Sequence, residues 1–305
     1  MARGSIWVPA LPSRGAGGGA DTLTKVGYSE RVLSDHLIRY EGRHPWGIGV
    51  TATVILSDGE AAVFDTLMYP QDSHRMAVSL RERGLHPRIL INSHFHLDHT
   101  AGNQFFPGKI LAQRLCRKLM KADIPELRGW AKENWSDRFG AFDPTLPNES
   151  FVHRASVQLG KLQLRAVHTP GHSPNSAVVL VQGTRTVLTG DAAMEFPLFV
   201  AGDSGACLRS LRVIQKMGVD FLVQGHGGVV PPGKLRGDID YLERCRAAVR
   251  AAGASRQGQE EVQARPLEQF VGGERAKESA KIWRQVHVWN LQKISQELAP
   301  AKGHR

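Results

Sequence analysis

Four side chains that can bind metal lie within six residues: His94, His96, Asp98 and His99, in the stretch that begins at Asn92. Alternate residues of an extended chain point to the same side, so His94 and His96 can bind one ion together. A turn after them would present Asp98 and His99 to a second ion about 3.5 to 4 Å away, the separation found in two-metal hydrolytic sites. The spacing therefore predicts a metal cluster.

Three more candidate ligands follow downstream: His172 in Thr-Pro-Gly-His-Ser-Pro, Asp191 in Leu-Thr-Gly-Asp and His226 in Gln-Gly-His-Gly-Gly. Each comes after a short apolar run that is typical of a buried strand, and the Gly and Pro residues beside it mark a turn. Four strand ends are thus predicted to meet at one cleft. The alternative, a chance concentration of histidines, does not explain why every candidate stands at such an end.

The complete His-x-His-x-Asp-His pattern, followed in order by these three residues, resembles the metallo-β-lactamase superfamily over about residues 48 to 250. The resemblance implies an α/β fold, an αββα sandwich of two mixed sheets flanked by helices. It also implies a distribution of ligands over two ions. The first ion would take His94, His96 and His172, the second would take Asp98, His99 and His226, and Asp191 would bridge them.

The resemblance implies a metallo-hydrolase in which a hydroxide held between two zinc ions attacks the substrate. The expected substrate is a small organic molecule with an ester, thioester, lactone or lactam bond. Asp98 has a second expected role as the catalytic residue, because a carboxylate beside the nucleophile can orient it and carry a proton to the leaving group. Zinc is the default, with iron or manganese as alternatives for this donor set. The sequence assigns no substrate-binding residue.

The formal net charge of +10 supports one alternative, a phosphodiesterase or nuclease that acts on RNA or DNA. The basic residues form modest clusters at Arg114–Lys121 and Arg244–Arg250, which are more typical of solvated helix faces than of a nucleic-acid arm. Nucleic acid is therefore not the expected partner. A third alternative is a metal-binding protein without hydrolytic activity, or an iron-dependent oxygenase on the same scaffold.

Composition predicts a cytoplasmic globular protein with no membrane partner. No apolar stretch approaches the ~20 residues of a membrane span, and the N-terminus lacks the pattern of a signal peptide. The cysteines, Cys116, Cys207 and Cys245, show no Cys-x-x-Cys spacing and are interpreted as core or surface thiols. The oligomeric state does not follow from the sequence.

Residues 1–22 are rich in Gly and Pro and are predicted to be disordered or loosely packed, and residues 23–305 to form one metallo-hydrolase domain. Within it, Val50–Asp65 has the pattern of a β-hairpin around Asp-Gly, and two further hairpins are predicted from Phe151 to Val167 and from Ala177 to Leu188. Helices are predicted at Pro70–Gly84, Leu208–Met217 and Gly237–Ala252, and a C-terminal amphipathic helix at about 276–298.

Three segments are candidates for specificity: the loops at 43–49 and 192–203, and a helical insertion at about 114–148. The insertion contains Trp130, Trp135, Phe139 and Phe142, which would either cover the site or seal the insertion onto the core. In the loop after Asp191, side chains at 194, 196 and 199 would suit an acyl chain or would pack in the core.

The other histidines have no ligand-like neighbours, and surface or packing roles are predicted for them. His168, four residues before His172, is the candidate for a partner that fixes the tautomer of a ligand. The remaining ones are His36, His44, His74, His86, His153 and His287.

Overall fold

The computed structural model describes residues 27–134, 144–278 and 281–299. The strands are β1 (Ser29–Ser34), β2 (Leu37–Arg43), β3 (Gly49–Ser57), β4 (Glu60–Phe64), β5 (Pro87–Ile91), β6 (Lys109–Gln113), β7 (Glu149–Phe151), β8 (Arg154–Leu159), β9 (Leu162–His168), β10 (Ala177–Gln182), β11 (Thr186–Gly190), β12 (Phe221–Gln224) and β13 (Val229–Val230). The helices are α1 (Pro70–Glu82), α2 (Leu97–Thr100), α3 (Cys116–Asn134), α4 (Ser204–Gln215), α5 (Lys234–Ala251), α6 (Arg256–Gln263), α7 (Gly273–Glu278) and α8 (Lys281–Leu298).

The strands form two mixed sheets. The first contains β1 to β7 in chain order, antiparallel from β1 to β4 and parallel from β4 to β7. The second has the order β13-β12-β11-β10-β9-β8 and is antiparallel except for the pair β11 and β12. The parallel pairs arise where a helix carries the chain back along the sheet, as α1 does between β4 and β5 and α4 between β11 and β12.

Alternation of side chains along each strand gives the sheets two buried faces. In β10, Val179 and Val181 pack between the two sheets, whereas Val178 packs on the outer face against the C-terminal helices. The outer face of the first sheet packs against α1 through Met76 and Leu80. The layers are therefore helix, sheet, sheet and helix, and the predicted αββα sandwich is confirmed.

One edge of the sandwich collects the strand ends that matter for function. The parallel pair β4 and β5 ends just before Asp65 and the 94–99 motif, and the parallel pair β11 and β12 ends just before Asp191 and His226. Parallel neighbours end at the same edge of a sheet, so the topology alone gathers these residues.

The predicted hairpins are confirmed with one correction. β3 with β4 and β10 with β11 pair as expected, but the hairpin predicted to begin at Phe151 begins at Arg154. Phe151 instead ends β7 and pairs with Gln113 in the first sheet. The chain crosses from one sheet to the other immediately after it, and an apolar pattern does not mark such a crossing.

The helices agree in position and differ in their starts. α4 begins at Ser204, where the Asp203 side chain accepts a hydrogen bond from the backbone N–H of Ala206, and α5 begins at Lys234, so both start earlier than predicted. The C-terminal helical region is described as α7 and α8, which lie on either side of residues 279 and 280 outside the described ranges, and α7 begins at Gly273, before the predicted start at about 276. None of the helices in the described ranges is long and apolar enough to cross a membrane.

Two predictions fall largely on residues outside the described ranges. The segment 1–22 lies entirely outside them, as do Trp135, Phe139 and Phe142 of the insertion. The described part of the insertion is helical through α3. Whether the insertion covers the site stays a prediction.

Candidate metal centre

Three imidazole nitrogens converge where β5 and β9 end. His172 Nε2 lies 3.2 Å from His94 Nε2 and 2.9 Å from His96 Nδ1. Asp191 Oδ2 approaches the same group, 3.4 Å from His172 Nε2 and 3.8 Å from His94 Nε2. The structure therefore brings together the residues predicted for the first ion.

A second group forms beside the first. Asp98 Oδ2 lies 2.9 Å from His226 Nε2 and 3.4 Å from His99 Nε2. Asp191 joins this group too, with Oδ1 at 3.3 Å from His99 Nε2 and Oδ2 at 3.5 Å from His226 Nε2. Asp191 therefore contacts both groups, and its role as a bridge, which the resemblance implies, stays a prediction.

The backs of these imidazole rings are held by hydrogen-bond acceptors. The Nδ1 atom of His172 donates to the carbonyl of Leu198 at 2.8 Å, and that of His226 donates to the carbonyl of Gly49 at 2.8 Å. His99 Nδ1 lies 3.0 Å from the carboxylate of Asp65. An acceptor at Nδ1 keeps the hydrogen there and leaves the lone pair on Nε2, which is the state that binds metal.

Two atoms inside the cluster indicate that a cation fits it. His99 Nε2 and Asp191 Oδ1 are buried and make no hydrogen bond, although buried polar atoms normally have a partner. A metal ion between the two would satisfy both. Imidazole nitrogens and carboxylate oxygens suit zinc as well as iron and manganese.

Electrostatics divide the histidines into two sets. Burial, helped by the neighbouring imidazoles, lowers the pKa of His94 and His96 well below the ordinary 6.5, and burial also lowers the pKa of His172. Burial opposes protonation of His99 and His226 as well, but the Asp191 and Asp98 carboxylates outweigh it and raise the pKa of both rings. The first set is therefore ready to bind a cation at neutral pH, and the second must first release protons.

Comparison with known proteins shows which family the chain belongs to. The model of the metallo-beta-lactamase superfamily matches residues 45–226, which include every residue of both groups. The chain belongs to this superfamily. The match begins in the loop before β3 and ends at His226, so it spans the whole of the site's ligand-bearing edge.

Relatives within the superfamily are distant. The chain is 27% identical over 219 residues to an atrochrysone carboxyl ACP thioesterase from Aspergillus fumigatus, covering 70% of this chain and 63% of that one. It is 22% identical over 159 residues to an acyl-coenzyme A thioesterase from Gallus gallus, covering 47% and 57%. A metallo-beta-lactamase family protein from Thermus thermophilus superposes with a TM-score of 0.64 at 16% identity over 88% of this chain and 94% of that one. The chain thus spans about three fifths of the length of the thioesterases.

The loop at 192–203 is part of the scaffold in this superfamily member. Met194, Phe196 and Phe199 are at most 1% exposed and pack in the core with the C-terminal helices. The hypothesis that they form an acyl pocket is therefore wrong. The loop's carbonyls are held as well, because Asn290 Nδ2 donates to Pro197 at 2.6 Å and His172 to Leu198.

Sequence reasoning missed Asp65. Its Oδ2 accepts from His99 Nδ1, and its Oδ1 accepts from the backbone N–H of Ser93 at 2.6 Å. Asp65 thereby ties the end of β4 to the start of the metal-binding motif and fixes the tautomer of His99. A carboxylate directly after an apolar strand was the available signal, the same one that marked Asp191.

His44 was predicted to have a surface or packing role, and the structure places its ring beside the second group. Its ring lies 5.1 Å from the ring of His226, and its Nε2 atom lies 3.6 Å from Asp98 Oδ2. Burial, followed by the repulsion from His226, lowers the pKa of His44 to about 3. The loop between β2 and β3 brings His44 to this place. Its local sequence does not indicate the contacts with Asp98 and His226, which are far from it along the chain.

The remaining sequence predictions have mixed outcomes. His168 Nε2 donates to the carbonyl of Pro174 at 2.9 Å, so it closes the base of the loop that carries His172 and does not contact a ligand. All three cysteines are buried free thiols, as interpreted from their spacing. The charged residues of the two basic clusters lie mostly on exposed helix faces of α3 and α5.

Proposed function

We propose that the chain is a metal-dependent hydrolase that cleaves acyl thioesters, or the related esters and lactones, of small organic molecules. The observation that carries the proposal is the pair of His/Asp groups that share Asp191, with the Nδ1 atoms of His172 and His226 held by backbone carbonyls so that Nε2 faces the cluster. A one-metal protein would not need the buried second group.

Two zinc ions per chain complete the proposed centre, the first on His94, His96 and His172 and the second on Asp98, His99 and His226, with Asp191 between them. When bound, they would polarise the substrate and lower the pKa of a water molecule to near neutral. The chain's own contribution is pre-organisation, because the acceptors behind His99, His172 and His226 hold these rings in place before any ion arrives.

Asp98 is the proposed catalytic residue. Its Oδ2 atom lies 2.9 Å from His226 Nε2 and 3.4 Å from His99 Nε2, so the carboxylate is held in one orientation at the second group. A carboxylate within hydrogen-bond reach of the attacking water can accept its proton and deliver it to the leaving group. Asp191 lies 3.3 to 3.5 Å from His99, His172 and His226 in both groups, so it is less free than Asp98 to carry a proton to the leaving group.

The substrate class is supported by the relatives. Both thioesterases named above act, by their names, on acyl groups attached through sulfur, to an acyl carrier protein in one case and to coenzyme A in the other. The loop at 43–49 offers a surface for such a substrate next to Asp98, because Trp46 packs against His44 and approaches Trp289 of α8 with ring centroids 6.0 Å apart.

The test is turnover of zinc-reconstituted protein on three substrates: an acyl-coenzyme A, an oxygen ester or lactone with the same acyl chain, and an activated phosphodiester. Each is assayed with and without a chelator. His172→Ala, which removes one ligand of the first group, is the inactive variant for comparison. Chelator-sensitive cleavage of the acyl substrates supports the proposal. Cleavage of the phosphodiester alone would replace it with the nuclease alternative, for which the net charge of +10 is the supporting observation.

A further inference from the structure

His44 stands out among the histidines of the centre by the way its ring is held. The backbone N–H of Trp46 donates to His44 Nδ1 at 3.2 Å. A ring nitrogen that accepts a hydrogen bond carries no hydrogen, so the hydrogen of this imidazole is on Nε2. His172 and His226 are held in the opposite way, by carbonyls that accept from Nδ1.

This reversed tautomer separates His44 from the metal ligands. Although His44, Asp98 and His226 lie close enough together to hold an ion, a nitrogen that carries a hydrogen has no lone pair to give to one. To bind metal, His44 would have to move its hydrogen to Nδ1, where the N–H of Trp46 already points. The ring is therefore built as a donor.

The donor is also available. His44 Nε2 lies 3.6 Å from Asp98 Oδ2, which is too long for a hydrogen bond. The ring itself is fixed by edge-on packing against Trp46 at 5.0 Å and against His226 at 5.1 Å, and 9% of the side chain remains exposed. A fixed, unused N–H beside the second group is suited to a substrate atom that becomes negative.

We propose that His44 is a catalytic residue that donates a hydrogen bond from Nε2 to the leaving sulfur or oxygen of the substrate. The inference rests on the proposed function. His44 lies beside Asp98 of the second group, and Asp98 is the residue proposed to deliver a proton to the leaving group. No proton is transferred in this step. The donor stabilises negative charge on the leaving atom while the bond to the acyl carbon breaks.

The role predicts a dependence on the leaving group. A thiolate or alkoxide of high pKa carries more negative charge at departure and gains more from a donor. We expect His44→Leu to reduce kcat on an alkyl thioester about 10²- to 10³-fold, the usual loss for one such donor, and to reduce kcat on an aryl thioester of the same acyl group only a few-fold. His44→Gln, which keeps an N–H, should recover part of the loss on the alkyl substrate.

The controls separate this role from a structural one. His36→Leu removes an exposed histidine on the β2 side of the first sheet and should leave both substrates unchanged. The zinc content of His44→Leu should stay at the wild-type value, because His44 is not a ligand. An equal loss on both thioesters, no loss on either, or the loss of one zinc ion would each overturn the proposal.

A second measurement does not depend on turnover. Imidazole ¹⁵N chemical shifts of the zinc-loaded protein, assigned by comparison with His44→Gln, report which ring nitrogen carries the hydrogen. We expect a protonated Nε2 and a bare Nδ1 in His44, and the reverse, with a metal-shifted Nε2, in His226. A metal-shifted His44 would overturn the donor role even if the substrate class proposed above were wrong, and wild-type protein inactive on every acyl substrate would contradict only the proposed function.

Discussion

Asp65 Oδ2 lies 3.0 Å from His99 Nδ1, and both side chains are at most 1% exposed. The contact joins the end of β4 to the helical turn α2, so one carboxylate positions a ring that belongs to the second group. The backbone of Asp65 has a positive φ of 59°, a conformation that non-glycine residues adopt rarely. The N–H of Asp65 donates to the carbonyl of Ile91 at 2.9 Å, and its Oδ1 atom accepts from Ser93 N at 2.6 Å.

Asp65→Ala should weaken binding of the second ion. Without its acceptor, His99 loses the fixed tautomer and orientation, and such outer partners typically contribute 10- to 100-fold, so we expect about that loss in affinity. Competition with a chelator of known affinity measures it. The first ion should be weakened less, because Asp65 reaches its ligands only through the backbone N–H of Ser93, next to His94. Asp58→Ala, which removes an exposed carboxylate, is the control. Equal weakening of both ions would contradict a role specific to His99.

Acidification should release the second ion before the first. Although burial opposes it, the carboxylates of Asp191 and Asp98 raise the pKa of His99, so this ring holds a proton at neutral pH that metal must displace. Burial lowers the pKa of His94 and His96, so protons compete for the first ion only below the ordinary value of 6.5.

The affinity for the second ion should therefore fall steadily as pH is lowered from about 8 to about 6.5, where an ordinary histidine is half protonated, while the affinity for the first changes little. Metal content after dialysis at each pH, measured by atomic emission, checks this order. Loss of both ions in one step would show that the two groups do not titrate separately.

Asp98→Asn should lose most turnover and keep at least one ion. Removal of a general acid or base costs about 10²- to 10⁴-fold, and the first group contains no atom of Asp98. The measurements are kcat and zinc per chain for the same preparation. Asp220→Asn, an exposed aspartate paired with Arg185, is the matched control. Unchanged turnover in Asp98→Asn would remove the catalytic role.

The candidate ligands could be predicted because their positions depend on local rules. Side chains alternate along a strand, and turn residues mark where it ends, so His94, His96, Asp191 and His226 are recognisable in the sequence as groups at one edge. The αββα sandwich was implied by the resemblance to the superfamily, and the order of strands and helices allowed it.

The rest could not be predicted because it depends on contacts between distant segments. His44 reaches Asp98 only because β2 and β3 lie beside the turn of β12, where Thr51 N donates to the carbonyl of Gly225. From the sequence, Phe196 could line a pocket or pack in the core, and the helices that bury it follow it in the chain. Apolar character alone does not distinguish a core contact from a substrate contact.

Gly225→Ala should disturb the centre without removing any ligand. A Cβ at this position would lie 2.9 Å from His99 Cε1, 2.8 Å from the backbone carbon of Gly190, and closer still to Asp191 Oδ1. The shift of Asp191 and His99 should lower metal affinity and activity together, with a loss of stability of about 1 to 3 kcal/mol from overpacking. Gly228→Ala has open space and is the control. Normal zinc content in Gly225→Ala would contradict this close packing.

The loop after Asp191 depends on a buried carboxylate on α5. Asp238 is fully buried and accepts from Lys234 Nζ at 2.6 Å and from Arg275 Nη2 at 2.6 Å. Both cations also donate to the loop, Lys234 to the carbonyl of Met194 and Arg275 to that of Glu195. Asp238 therefore positions Lys234 and Arg275, which in turn donate hydrogen bonds to the loop at 192–203.

Asp238→Asn should destabilise the protein and loosen the first group. Removing one partner of a buried ion pair costs about 3 to 5 kcal/mol, and we expect the lower end because Lys234 and Arg275 keep some access to water. Urea unfolding of the metal-free protein measures the loss, and Asp240→Asn, whose pair with Arg236 is exposed, should be close to wild type. Since the loop also supplies the Leu198 carbonyl that holds His172, affinity for the first ion should fall in Asp238→Asn and stay unchanged in Asp240→Asn. Lower stability with unchanged affinity for the first ion would show that the contacts of Asp238 with Lys234 and Arg275 stabilise the fold but do not position His172.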